Sequence, residues 1–497
     1  DPAAAARELD RARRRPWSPW APAPTGAAAA AIAGPLLAEL ARSADPDAAL
    51  RHAVDLTGKR GAAWSMWALL DENRPLLRLL ASLLGASEYL ARALVDRPEL
   101  IDLLVAVGQA SPRAARASLE RDVDRRLAAA HAADAGDEEL AWSTLAEFKN
   151  GQVLRVGLAD FGGRLAPLEV CEELTAIAEV CLDRAYARVA AGVRARHGVV
   201  RTKQGTPARM AVLGLGKLGG GELGYAADLD VVFVHDDPDD DHAESDGARP
   251  LPLVEYMSRI AQRLVSGLHA RTPRGRLYEV DTRLRPSGSA GLLVSSVSGW
   301  RRYHATDARL WERQALIKLR PVAGDPALGA QVAAEVASWL WTPPAERPDA
   351  RAIAQQLAAM RDRMERELGQ PGDLKVGKGG ILDAEFAAQY LQLVHGHEQV
   401  ALRTPSTVAA LDAARAAGLA PADDLEVLAE GYRFLRLIEH RMRVVHDRPV
   451  HRLPHDAVEL ERLARRCGFP GGEALRTRVE RWQLAIRAAF ERVLLAR

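Results

Sequence analysis

The sequence predicts an α+β protein, with a compact α/β domain standing between an N-terminal helical domain and a C-terminal helical bundle. Three observations carry that expectation. Apolar residues recur at helical spacing through a first stretch rich in Ala, Leu, Arg and Glu; short β-type runs alternate with glycine-rich segments in the middle; and the first texture returns after Pro343, Pro344 and Pro348. The expected domains are residues 1–200, 201–335 and 336–497. At 497 residues the chain exceeds one ordinary domain, and with 48% hydrophobic residues it can bury a sizeable core.

Each element follows from a local signal. Pro16, Pro19, Pro22 and Pro24 interrupt the beginning, so Trp17 and Trp20 are expected in an extended segment with their rings packed on a helix. Leu76, Leu77, Leu79, Leu80, Leu83 and Leu84 lie on a helical period. Strands are expected over 210–215, 229–234 and 277–284. A helix led by Trp311 and Glu312 is expected to reach Lys318 with Trp311 in the core, and another starts at Ile381.

Composition removes several function classes. Sixty-seven Lys and Arg balance 66 Asp and Glu, so a broad nucleic-acid-binding face or an anionic-membrane protein is not expected, and no nucleic-acid or membrane partner is inferred. A polymerase acting on RNA ends would need a basic groove bearing aromatic rings, which that balance argues against. The apolar run from Ala27 to Ala38 falls well short of the roughly 20 residues that span a bilayer. Cys171, Cys181 and Cys467 form no paired spacing, which excludes a disulfide scaffold and points to the cytoplasm.

The chemistry concentrates in the middle. Gly214, Gly216 and Gly219 spell GxGxxG after a strand, but only residues 220–227 separate them from the next strand, and Gly221 and Gly224 break any helix there. A dinucleotide fold is therefore rejected, and a Walker loop fails because Leu218 follows Lys217. A turn remains whose exposed backbone N–H groups can approach phosphates.

The second strand opens with Asp228 and Asp230 on one side. Two carboxylates so close call for neutralisation, and Mg²⁺ with oxygen ligands supplies it while also binding nucleotide phosphates. On the run from Tyr278 to Leu284, Glu279, Asp281, Arg283 and Arg285 share one face. Carboxylates for metal ions and guanidinium groups for a polyphosphate are the equipment of nucleotidyl transfer. A DxD alone is explained as well by turn capping; the glycine turn before it and the Asp-x-Arg-x-Arg run after it favour catalysis.

Secondary candidates are Lys375 and Lys378 in the glycine-rich run before Ile381, Lys318 as a further phosphate contact, and Asp383 and Glu385, which also suit a helix start without any function. Asp236, Asp237, Asp239, Asp240 and Asp241 lack the ligand spacing of a calcium loop and read as solvated. His395, His397, His440, His446, His451 and His455 close no metal spacing.

The runs GLGKLGGGELGYAADLDVVFVHD, YEVDTRLRPSGSAGLLVSS, RLWERQALIKLRPVAGD and DLKVGKGGILDAEFAAQYLQL resemble the glutamine synthetase adenylyltransferase/adenylyl-removing enzymes, members of the DNA-polymerase-β-like nucleotidyltransferase superfamily. The resemblance covers about residues 75 to 455 and one of the two halves such enzymes carry. It implies a polymerase-β-like nucleotidyltransferase domain, with ATP as substrate, Mg²⁺ as cofactor, glutamine synthetase as protein substrate and the PII signalling protein as a partner. Asp228, Asp230 and Asp281 match the family's metal-binding carboxylates, and Gly219 and Gly220 its nucleotide-binding turn. Lys217, Arg283, Arg285, Ser287, Lys318 and Lys375 complete the expected nucleotide-binding set.

The VDTRLRPSG form with Ser287 and Gly288 looks more like the transferase half, while LRLIEHRMRVVHDRPVHRLP is closer to the removing half, which works by phosphorolysis and releases ADP. Ala227 stands where the family usually has Ser before its DxD, so one phosphate donor is missing, and a non-catalytic nucleotide- or PII-binding module stays open as an alternative.

Overall fold

The computed structural model describes residues 1–24, 27–58, 63–97, 100, 111–134, 137–202, 205–237, 243–341 and 349–495. Pro343, Pro344, Pro348 and Asp239 to Asp241 lie outside them. The chain packs into two units. One comprises residues 1–114, 150–173 and 435–481; the other comprises 115–149, 174–434 and 482–497.

The first unit is helical among the described residues. Asp45 caps the helix Pro46–Leu56 by accepting from Ala48 N, and Asn73 caps Arg74–Ala86 by accepting from Leu76 N. Leu76, Leu77, Leu80, Leu83 and Leu84 are buried on the face that their spacing marks. The stretch around Trp17 and Trp20 is a series of turns rather than an extended segment. Successive bonds from Ser18 N to Arg15 O and from Ala21 N to Ser18 O fold it back on itself. The Trp17 ring nitrogen donates to Thr57 O at a helix end, and that of Trp20 to Ala33 O within a helix at 3.2 Å.

The second unit is built on a small sheet. Its strands are β1 (Met210–Gly214), β2 (Leu229–His235), the hairpin β3 (Arg271–Thr272) and β4 (Gly275–Arg276), β5 (Val280–Asp281), β6 (Val294–Ser296) and β7 (Arg320–Gly324). β1 lies antiparallel between β2 and β7, while β5 and β6 pair in parallel with successive parts of the outer edge of β2; β3 and β4 pair only with each other. β1 is buried throughout and β2 at every residue except Asp230, which is half-buried, as strands covered on both faces must be. The helix Leu253–His269 buries Tyr256, Met257, Ile260, Ala261, Leu264 and Leu268 along one stripe.

Two expectations change here. The strand expected over 277–284 shrinks to two residues, because Arg285 N bonds back to Thr282 O and turns the chain away from the sheet. The helix Leu310–Leu316 ends before Lys318, and Trp311 is 38% exposed, since that helix turns Glu312, Gln314 and Leu316 inward instead. The helix Ile381–His395 is buried at all but its last two positions, the signature of a core helix without a solvent face.

Candidate active site

The site grows from the register of β2 against β5. Leu229 pairs with Val280 and Asp230 with Asp281, so the two carboxylates leave neighbouring strands side by side, with Asp228 two residues earlier on β2's approach. Asp228, Asp281 and Arg283 line a shallow cleft of about 340 Å³ with Glu279, Val280 and Thr282. Burial, then the charges of Asp228 and Asp281, push the Asp230 carboxyl up to about 7, against the opposing charges of Lys375 and Arg283. Burial also works to raise Asp281, but hydrogen bonds and charge from Arg283, with a smaller share from Arg285, hold it below its ordinary value. Arg283 Nε lies 2.8 Å from Asp281 Oδ2, and Arg283 N donates to Oδ1 at 2.8 Å.

Three crowded carboxylates, one of them driven toward the neutral form, are a donor set that suits a hard divalent cation. Among the described residues no three Asp, Glu, His or Cys side chains already stand at ligating positions. Arg283 pairs with Asp281, so that carboxylate is already engaged.

The glycine segment abuts this cluster from β1. Leu215 N donates to Asp230 O at 2.9 Å, and Gly216 then takes φ +51°. A Cβ on Gly216 would stand 2.1 Å from Asp230 Oδ2, so only glycine allows this approach. The expected open turn is instead a single helical turn, Gly216–Gly219. Gly219 N bonds Leu215 O at 2.8 Å and Gly220 N bonds Gly216 O at 3.0 Å, so these two N–H groups are engaged internally and both residues are buried. Their lack of a side chain serves packing: a Cβ on Gly219 would fall 1.9 Å from Lys318 O. Ala226, just before the DxD, holds φ +50°, and Ala227 is half-buried.

The other expected residues divide. Lys375 joins the cluster through its charge on Asp230, from a loop that Asp373 shapes by accepting from Lys375 N and Val376 N, each at 2.7 Å. Arg285 is spent on its own loop, donating to Thr282 O at 2.9 Å and to Gly291 O and Ser289 O at 3.3 Å. Ser287, at φ +59°, is exposed and lines a separate cleft of about 370 Å³ with Leu292, Arg302 and Tyr303. Lys217 and Lys318 turn inward onto Glu385 and Glu222. Asp383 is fully buried on Arg361 at 2.5 Å, a structural placement, and Glu385 belongs with the lysines. Of the histidines, His440 is buried beside Cys171 and His451 pairs with Glu439.

Sequence reasoning missed three contributors. Gly216 appeared only as a letter of a rejected motif, although its tight approach to Asp230 is the contact that matters. Glu222 and Arg320 carried no motif; Arg320 donates to Gly219 O at 2.8 Å and Leu218 O at 3.1 Å, gripping the helical turn. For Glu222, a charged residue directly after the glycines was the available signal; Arg320, 101 residues along the chain from Gly219, offered none.

Two family models match the chain. One, described as Glutamate-ammonia ligase adenylyltransferase, covers residues 77–335; the other, described as GlnD PII-uridylyltransferase, covers 351–494. The chain is similar to the bifunctional glutamine synthetase adenylyltransferase/adenylyl-removing enzyme of Nitrosococcus oceani, 37% identical over 417 residues, or 82% of this chain and 42% of that protein. Its likeness to the proteins of the same name from Methylococcus capsulatus and Pseudomonas putida is 36% over 468 residues and 33% over 425. Those matches take in 92% and 82% of this chain but 47% and 43% of the relatives. The chain thus spans a little under half the length of the curated relatives it matches.

Proposed function

The chain belongs to the glutamate-ammonia ligase adenylyltransferase family, and on that premise we propose that it is a single nucleotidyl-transfer half that moves AMP from ATP to a tyrosine of glutamine synthetase. The observation that carries this reading is the parallel register placing Asp230 beside Asp281, with Asp228 and Lys375 close to them. Asp228, Asp230 and Asp281 would hold Mg²⁺. Bound there, Mg²⁺ supplies charge neutralisation for the polyphosphate and polarises the α-phosphoryl group. Arg283, released from Asp281, and Lys375 would take phosphate oxygens by charge-assisted hydrogen bonds. The glycine turn, whose Gly216 packs on Asp230 with no side chain between them, would form a wall of the nucleotide site. The tyrosine hydroxyl gives up its proton to solvent as its oxygen attacks the α-phosphorus, the bond to pyrophosphate breaks, and AMP stays on the tyrosine.

A second reading runs the same site by phosphorolysis, releasing ADP from the modified tyrosine. It is favoured by the relatives' printed names, which carry both activities, together with a match to less than half of each relative. The transfer direction is preferred for the Ser287-Gly288 form of the loop after Asp281. The helical segment 351–494, which matches the model described as GlnD PII-uridylyltransferase, is proposed to read a PII-type signalling protein. Consumption of ATP fits a cytoplasmic site of action, and among the described residues no helix is long and apolar enough to cross a membrane. Incubating the chain with Mg²⁺ and α-labelled ATP on unmodified synthetase, and with phosphate on AMP-bearing synthetase, separates the readings. Label gained by the unmodified protein supports transfer; ADP released from the modified protein, with no label gained, replaces transfer by removal.

A further inference from the structure

Five buried side chains, Glu222, Lys318, Glu385, Thr407 and Tyr432, meet beside the glycine turn, and half-buried Lys217 reaches them from the turn itself. Lys318 Nζ lies 2.8 Å from Glu222 Oε2 and 3.2 Å from Thr407 Oγ1. Lys217 Nζ bonds Glu385 Oε1, lies 2.7 Å from the Tyr432 hydroxyl and stands 4.9 Å from the centre of the Tyr432 ring. That hydroxyl donates to Glu222 Oε2 at 2.9 Å, and Glu222 Oε1 accepts from Thr407 N at 2.8 Å. Two ammonium and two carboxylate groups therefore cancel inside the second unit, where Lys318, Glu222, Thr407 and Tyr432 are each at most 5% exposed.

The cluster touches the turn itself. A Cβ on Gly220 would lie 3.3 Å from both Glu222 Oε2 and Lys318 Nζ, and Gly219 rests on the Lys318 carbonyl. The same turn presents Gly216 to Asp230. Residues from the helices Ile381–His395, Thr407–Ala416 and the stretch around Tyr432 thus set the height of a segment that touches a catalytic carboxylate. Burial would raise Glu222, but Lys318 and Lys217 outweigh it and hold the carboxyl below its ordinary value, so the cluster keeps its charges. A packed apolar group of similar volume would stabilise about as well as such buried pairs.

We propose that Lys217, Lys318, Glu222, Glu385 and Tyr432 are positioning residues that act on nucleotide binding by fixing the glycine turn, without touching the nucleotide. This rests on the reading of that turn as a wall of the nucleotide site.

The test measures Mg-ATP affinity by calorimetry, and KM for ATP and for the protein acceptor, on the full chain and its Tyr432→Phe, Lys217→Met and Lys217→Arg variants. Tyr432→Phe removes one hydroxyl and leaves every charge in place, so it is the variant surest to fold; circular dichroism confirms that it has. Tyr432→Phe is expected to weaken Mg-ATP on the order of tenfold, the loss of a charge-assisted hydrogen bond, and Lys217→Met, which also strips Glu385 of its nearest ammonium, by at least as much, with KM for the acceptor unchanged. Lys217→Arg recovers most of the loss. Wild-type affinity in folded Tyr432→Phe overturns the proposal. If Lys217→Met alone loses affinity, Lys217 touches phosphate directly, which also overturns it. A wild-type chain that binds no Mg-ATP sinks the nucleotide reading and this inference together, an outcome distinct from wild-type binding matched by all variants.

Discussion

Alanine at Gly216 and at Gly221 should separate a backbone cost from a displaced carboxylate. Both glycines have positive φ, +51° and +70°, so alanine at either costs about 1–2 kcal/mol in the left-handed region. A Cβ at Gly221 meets nothing within 4 Å, whereas one at Gly216 would fall 2.1 Å from Asp230 Oδ2. Normal carbon–oxygen contact requires that carboxylate to retreat by about 1 Å. Because it is the end of a side chain, it can swing aside at small further cost in stability. With Asp230 in its proposed metal-holding role the retreat is costly for chemistry, since about 1 Å of misplacement at a reacting centre can cost about 10²-fold in rate. Thermal unfolding should therefore show similar losses for the two variants. Initial rates of label transfer from α-labelled ATP should fall about 10²-fold for Gly216→Ala and by much less for Gly221→Ala, on the same geometric argument. Equal rates in the two variants would refute the reasoning.

Three further expectations follow from buried charge. Burial, and then Arg313, depress the His304 imidazole from 6.5 to about 4, so between those values the unfolded chain binds a proton that the folded chain does not. Stability is accordingly full above about pH 6.5 and falls as pH drops toward 4, by up to about 3 kcal/mol; urea midpoints across that range should show the slope, and His304→Phe should reduce it. Asp383→Asn takes the nearer carboxylate from Arg361, 0% exposed, leaving it Glu365 at 3.7 Å and the Gly377 carbonyl, and should cost about 1.5–3 kcal/mol in urea unfolding. Lys375→Met removes an opposing charge from Asp230 and should weaken Mg-ATP about tenfold to a hundredfold in calorimetry, with little change in thermal midpoint.

The strand carrying Asp230 was legible because its apolar run is continuous and short, and Asp230 and Asp281 do leave adjacent strands. The run after Asp281 was not, because alternation of polar and apolar residues does not reveal that Arg285 will bond back to Thr282 and Gly291. Lys217 and Lys318 show the larger gap. A lysine beside glycines reads as a phosphate ligand until its partners are known, and Glu222, Glu385 and Tyr432 come together only through tertiary packing. Trp311 illustrates the same limit, since helical spacing does not say which face turns inward, and here it is the face bearing Glu312, bonded to Tyr303 at 2.5 Å.

The most direct test of the carboxylate site compares the full chain with its Asp230→Asn variant in Mg²⁺, α-labelled ATP and unmodified glutamine synthetase. The side-by-side placement of Asp230 and Asp281 predicts that label reaches the synthetase with the wild-type chain and that transfer is abolished in the variant while its fold, by circular dichroism, is retained. Undiminished labelling by folded Asp230→Asn would contradict it.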